Sequence, residues 1–254
     1  MTGLLSLGIA AAAGSELAAR IAPAAEAAGL HALWVNDTPG HDALELLHAA
    51  AGATERLGLA TGVLPVDRRT PDDILTAASG LPSERLMLGI GSGQLKHGAL
   101  ERVTDAATAL RERGDARVVV GALGPKMRRL GATASDGLLL SWLTPGIAAE
   151  QARQAHEIAP AAHVALYVRT ATDPAAEDAL DDEVRRYAGY PAYAANFGRL
   201  RIDAAHTVIR PSEVRDRIAA YRAAADQVVL RAITPSGSVD DHLRLIEAIA
   251  EALA

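Results

Sequence analysis

Short apolar runs alternate with longer amphipathic stretches from one end of the chain to the other. The apolar runs are Leu4–Ala10, Ala32–Val35, Gly58–Leu64, Leu86–Ile90, Arg117–Ala122, Gly137–Leu143, Val164–Val168 and Gln227–Ile233. Each has the length of a strand and little period-2 alternation. That is the pattern of strands covered on both faces, as in a parallel sheet. The stretches between them have helical spacing. Ser15 is placed to cap a helix carrying Leu17, Ile21 and Ala24, which closes at Gly29. Asp42 opens another over Leu44, Leu47 and His48, while Pro71-Asp-Asp, Gly146 and Pro174 mark further starts.

Eight strand candidates in strict alternation with helices, within about 250 residues, predict an α/β fold of the TIM (β/α)8 barrel type. An open doubly wound sheet is the rival, and it needs fewer strands for this length. No Pro/Gly/Ser linker divides the chain, so residues 1–254 read as one domain. The spacing is irregular once: Ala171 to Ala225 separates the last two strands and should hold at least two helices, near Asp181–Tyr193 and Pro211–Ala225. In such a barrel the functional residues stand where strands end, at the C-terminal face.

Composition narrows the function. Half of the residues are hydrophobic but only 3% are aromatic, with Phe197 the single phenylalanine, so the core is aliphatic and alanine-rich. Few rings and a net charge of −6 argue against nucleic-acid binding by stacking or phosphate tracking. The absence of cysteine removes disulfides and thiolate chemistry. No apolar run is long enough to span a membrane. The N-terminal apolar run lacks a preceding basic segment and reads as a buried strand, giving a cytoplasmic expectation. The histidines show no metal spacing; His156 and His242 fall in helices as packing or surface residues.

Several strand ends carry candidate chemistry. Asn36-Asp37-Thr38-Pro39-Gly40-His41-Asp42 follows the second strand; Asp37 either meets a polar ligand or shapes a turn with Asn36, and Asp42 suits a helix cap. Arg68-Arg69 follow the third; they either meet an anion or, the favoured reading, form a solvated pair beside Asp67. Gly91-Ser92-Gly93 ends the fourth, where glycines let a flat or phosphorylated ligand approach the backbone. Ala122-Leu123-Gly124-Pro125-Lys126-Met127 runs from the fifth strand into a helix; either its free N–H groups and dipole make an anion site, the favoured reading, or it is a tight turn with a solvated lysine. Lys126 is one of only two lysines, the other being Lys96. Trp142, at the end of the sixth strand, either walls a flat ligand or fills the barrel top.

Taken in order, these pieces resemble the bacterial luciferase-like superfamily, particularly its deazaflavin (coenzyme F-420) dependent oxidoreductases. The carriers are Gly29–Asp37, Leu59–Pro65 with Arg68–Pro71, Leu88–Gly93, Gly121–Met127, Ala134–Pro145 and Leu230–Pro235. The resemblance implies a TIM barrel with coenzyme F-420, alternatively FMN, at its mouth. It implies that Asp37 contacts the ring, that the Gly62–Val63 peptide is cis beneath it, and that Gly91, Ser92 and Gly93 with Ala122 through Met127 hold the ribityl-phosphate. Catalytic roles fall to Asp37, Thr38 and His41. Many deazaflavin members have Asp-His after the second strand; here Asp37 is followed by Thr38, with His41 three residues later. The segment from Gly93 to Arg117 is also short, leaving a more open or partner-completed mouth. The implied activity is hydride transfer between deazaflavin and a small organic substrate. FMN-dependent monooxygenation and cofactor binding without turnover are the alternatives, and a homodimer is expected.

Overall fold

The computed structural model describes residues 2–253. Nine parallel strands are present: β1 (Leu4–Ala10), β2 (Ala32–Asn36), β3 (Gly58–Thr61), β4 (Leu64–Pro65), β5 (Leu86–Gly91), β6 (Arg117–Gly121), β7 (Gly137–Ser141), β8 (His163–Thr170) and β9 (Gln227–Ala232). They follow the order β3-β2-β1-β9-β8-β7-β6-β5-β4, and pairing of β3 with β5 closes the ring. The run expected as one strand over Gly58–Leu64 is broken at the Gly62–Val63 peptide, so β3 and β4 are two halves of one stave. The result is a closed eight-stave parallel barrel, the TIM fold.

Among the described residues, ten α-helices surround it: α1 (Ser15–Ala27), α2 (Ala43–Ala53), α3 (Pro71–Ala78), α4 (Ala99–Arg113), α5 (Pro125–Ala134), α6 (Pro145–Ile158), α7 (Glu177–Gly189), α8 (Pro191–Leu200), α9 (Val214–Arg222) and α10 (Val239–Leu253). The Asp42 carboxylate accepts the Leu44 N–H at 2.8 Å and caps α2, as its position predicts. Thr70 and Asp73 form a reciprocal capping box at α3, with Pro71 in its first turn. Ser15 does not cap α1: Gly14 holds that position and no side chain bonds there. The excursion between β8 and β9 contains three α-helices, α7, α8 and α9, and the first two cover one side of the mouth.

An aliphatic shell of Leu, Ile, Val and Ala lies between sheet and helices. Inside the barrel, Ala32, Trp34, Ala60, Val119, Leu139, Ala165, Tyr167 and Val229 pack together. Trp34 and Tyr167 meet edge to face, with centroids 6.1 Å apart. Room for the Tyr167 ring comes from two glycines. A Cβ on Gly8 would lie 3.0 Å from that ring, and one on Gly62 2.8 Å.

At the barrel's other end, where strands begin, the His163 Nε2–H donates to Gln227 Oε1 at 2.7 Å, and Gln227 Nε2 donates to buried Ser6 Oγ at 2.7 Å. Burial of the His163 ring outweighs this bond and lowers its pKa below 6.5. His31 shifts the same way, again chiefly by burial.

Two outcomes follow. The Thr61 hydroxyl donates to the Gly89 carbonyl at 3.0 Å and accepts its N–H at 2.9 Å, continuing the β3–β5 seam where the ladder stops. Thr61→Val leaves both buried groups unpaired and should cost about 1–3 kcal/mol, read as a lowered denaturation midpoint. For the histidines, the unfolded chain binds more protons than the folded one below about pH 6.5, so stability falls as pH drops through that value. His163→Gln should flatten the decline in thermal midpoint between neutral and mildly acidic pH.

Candidate active site

The β2 exit divides its two polar residues between two places. Asn36 turns across the strand ends: its Nδ2 donates to the Gly62 carbonyl, and its Oδ1 accepts from Arg231 Nε at 3.2 Å. Asp37 turns aside. Its carboxylate, 1% exposed, lies 3.2 Å from Arg68 Nη2 and 3.1 Å from Arg69 Nη2, and accepts the Ala43 N–H at 3.2 Å. Arg69 also reaches Asp42 at 2.9 Å. The arginines expected as a solvated pair beside Asp67 therefore bind Asp37 instead. A shared charge, not solvent, fixes the loop after β4 to the loop after β2.

Thr38 has a buried hydroxyl with no hydrogen-bond partner. Its carbonyl accepts the His41 N–H at 3.0 Å in a tight turn, and the His41 ring is exposed. A cavity of about 630 Å³ opens beside this turn, lined by Ser15, Asp37, His41, Asp42, Arg68 and Arg69 among others. None of the glycine-loop residues lines it.

The Gly62–Val63 peptide is cis, as the resemblance implies. Val63 projects between the ends of β5 and β6: a Cβ on Gly91 would lie 2.6 Å from Cγ2 of Val63, and one on Gly121 2.9 Å from Cγ1. Gly91 thus makes space for a side chain of the protein itself. Gly93, at φ +57°, faces the Asp67 carboxylate, which would lie 2.0 Å from an added Cβ and accepts the Gln94 N–H at 2.9 Å. Ser92 sits between them, partly buried. A carboxylate seated in the Gly91-Ser92-Gly93 loop is unfavourable to a phosphate at the same place.

The start of α5 has the opposite character. Gly124 is the N-cap, Pro125 occupies the first turn, and no side chain caps the helix. Ala122 is buried, while Lys126 is exposed and Met127 packs partly against the core. The Leu123 carbonyl accepts from Arg128 Nη1 at 3.3 Å and from Arg199 Nη2 of α8 at 3.2 Å. Burial lowers the Arg128 pKa, and the Arg199 charge lowers it further. Among the described residues, Lys126, Arg128 and Arg199 have no carboxylate within ion-pair distance. Three cations gather at a helix start without an anion.

The mouth's remaining wall was not singled out by sequence. In register, Arg169 of β8 pairs with Arg231 of β9. Each lies two residues beyond a member of the interior cluster, Tyr167 and Val229, so alternation turns both toward the mouth. Arg169, 4% exposed, lies against both Trp142 and Tyr187, its Cζ 4.2 and 4.6 Å from their centroids, which are themselves 4.8 Å apart. Trp142, at φ +58°, is buried against Phe197 and Tyr187, so it supports the arginine and the α7–α8 cover rather than presenting an open face. The available signal was a charged residue at the inward phase of two otherwise apolar strands.

Residues 8–99 match the model of the luciferase-like monooxygenase family. No curated protein matches the sequence. Among solved structures, a monooxygenase from Streptomyces bottropensis is 18% identical with TM-score 0.74, covering 98% of both chains. A coenzyme F-420-dependent secondary alcohol dehydrogenase, solved with an F-420–acetone adduct, is 16% identical with TM-score 0.70, over 98% of this chain and 99% of that one. The oxygenating constituent of 3,6-diketocamphane monooxygenase from Pseudomonas putida, solved with FMN, is 12% identical with TM-score 0.68, over 98% of each. At these identities the likeness is one of fold. Residues 8–99 thus resemble the luciferase-like monooxygenase family, and the whole chain shares the barrel fold of these solved structures.

Proposed function

We propose that this chain is an oxidoreductase that transfers a hydride between a deazaflavin, coenzyme F-420, and an organic substrate held at the barrel mouth. The observation that carries the reading is the cationic start of α5, where Lys126, Arg128 and Arg199 stand without an anion beside the strand ends. A phosphate supplies the missing charge. Its tether brings a ring toward Val63, whose side chain stands between Gly91 and Gly121. The buried Thr38 Oγ1, which has no partner, marks a place where a polar ring edge or substrate oxygen is accommodated. These donors fit a phosphorylated flavin or deazaflavin.

When bound, the deazaflavin supplies hydride donation or acceptance; the protein supplies position and protons. Leu123 to Met127 hold the phosphate, and Val63 supports the ring. Asp37, committed to Arg68 and Arg69, holds the β2 exit in shape so that Thr38 is presented to the reacting centre. Thr38 stands where many relatives have histidine, and its hydroxyl can pass a proton without changing charge. His41, on the exposed side of the same turn, relays protons to solvent. Trp142 keeps Arg169 in place at the rim. FMN is the second reading, supported by the FMN-bound relative of the same fold.

Fluorescence titration with oxidised and reduced coenzyme F-420, and separately with FMN, tests the cofactor. Binding of the first with loss of its visible absorbance on adding substrate is expected, and binding of neither refutes the reading. Lys126→Ala should weaken the phosphorylated cofactor about tenfold while leaving its dephosphorylated core little changed. Equal losses for both would remove the phosphate role.

A further inference from the structure

The Arg169–Arg231 pair has a charge balance that the cofactor reading does not use. Two guanidiniums stand side by side on adjacent strands, where neighbouring backbones lie about 4.8 Å apart. Like charges so placed repel, and burial strengthens the repulsion. Burial also lowers the Arg231 pKa, against support from Tyr167 and Glu183. One carboxylate faces them. Glu183 Oε1 is 3.7 Å from Arg169 Nε, but its other oxygen is taken by Arg186 at the surface.

Arg231 has no carboxylate within ion-pair distance among the described residues. Its bonds go to neutral acceptors, Asn36 Oδ1 and the Ala232 carbonyl. Arg169 donates through Nη1 to Ser141 Oγ, and its Nε has no hydrogen-bond partner. Buried cations are ordinarily neutralised. Here one buried and one half-buried cation share a fraction of one carboxylate, at the end of the barrel where ligands enter.

We propose that Arg169 and Arg231 form a receptor for a planar, delocalised oxyanion, so that the reacting compound of this site carries a carboxylate. The inference deepens the oxidoreductase reading by giving the substrate's class, and rests on it for the location of the reaction but not for the identity of the cofactor. A guanidinium fork matches a two-oxygen anion in shape as well as charge. Contact with both Trp142 and Tyr187 and the Ser141 bond hold Arg169, and Asn36 holds Arg231 through Nε. The ordering cost of both forks is thus met before the anion arrives. An anionic edge of the reduced ring has the same chemistry, and the test separates the two sources.

The cofactor-free protein is titrated with benzoate and hexanoate, and with benzamide and hexanamide as uncharged matches, following thermal midpoint and heat of binding. Saturable stabilisation by the carboxylates alone is expected. Arg231→Met should abolish it, with at least a tenfold loss of affinity, while Arg231→Lys should retain part. Without ligand, Arg231→Met should melt no lower than the natural protein, because it removes an unneutralised half-buried charge for a side chain of similar size. If carboxylates fail to bind but reduced deazaflavin binds more tightly than oxidised, and Arg231→Met erases that preference, the receptor serves the ring. Equal response to carboxylates and amides without a reduced-ring preference overturns the proposal. So does an Arg231→Met protein that melts lower yet responds to anions as before. Because the carboxylate arm needs no cofactor or turnover, failure of the oxidoreductase reading would show separately.

Discussion

Steric exclusion at a few glycine positions sets the floor of the mouth. Tyr167 fills the barrel because Gly8 and Gly62 have no side chains, and Val63 lodges above it because Gly91 and Gly121 have none. A methyl group at any of these four positions would meet a neighbour at 3.0 Å or closer, which a packed interior cannot absorb without moving other atoms. The stave broken between β3 and β4, the Thr61 bridge to Gly89 and the level of the strand-end arginines are arranged around these two side chains.

Electrostatics adds a second layer. The protein is acidic overall, with a net charge of −6, yet several buried or half-buried charges at the barrel mouth are positive. The two signs are separated by function of place. Asp37 consumes Arg68 and Arg69, and Asp67 fills the Gly93 turn, so the side of the mouth near β2 to β5 is internally compensated. The side formed by α5, β8, β9 and α8 is not. An anionic molecule approaching the barrel would find its favourable end there, with the apolar Val63 face beside it.

The barrel was legible because every stave is covered on both faces, so each appears as an uninterrupted apolar run. The helix starts at Asp42 and Pro71 were legible because capping is local chemistry. Ser15 misled because Gly14, with its φ of +84°, took the position just before the helix. Loop assignments were harder. Nothing in the spacing of Asp67, Arg68 and Arg69 says which acid the arginines choose; that depends on how two loops from different staves approach. Likewise, glycines at a strand exit look the same whether they admit a ligand or a valine. Arg169 and Arg231 escaped because each looked like a lone charge at the end of a strand, and only the register of β8 with β9 makes them a pair.

One stretch of chain, the excursion between β8 and β9, supplies Glu183, Tyr187, Asn196 and Arg199 to the rim. None of these belongs to a stave or to the barrel's closure. The lining of the entrance is therefore interchangeable: a different excursion of similar length would present new shape and charge to incoming molecules, leaving the eight-stave frame untouched. Within such a frame, diversification of the entrance can proceed by swapping a single insert, with the floor built by Tyr167 and Val63 inherited unchanged.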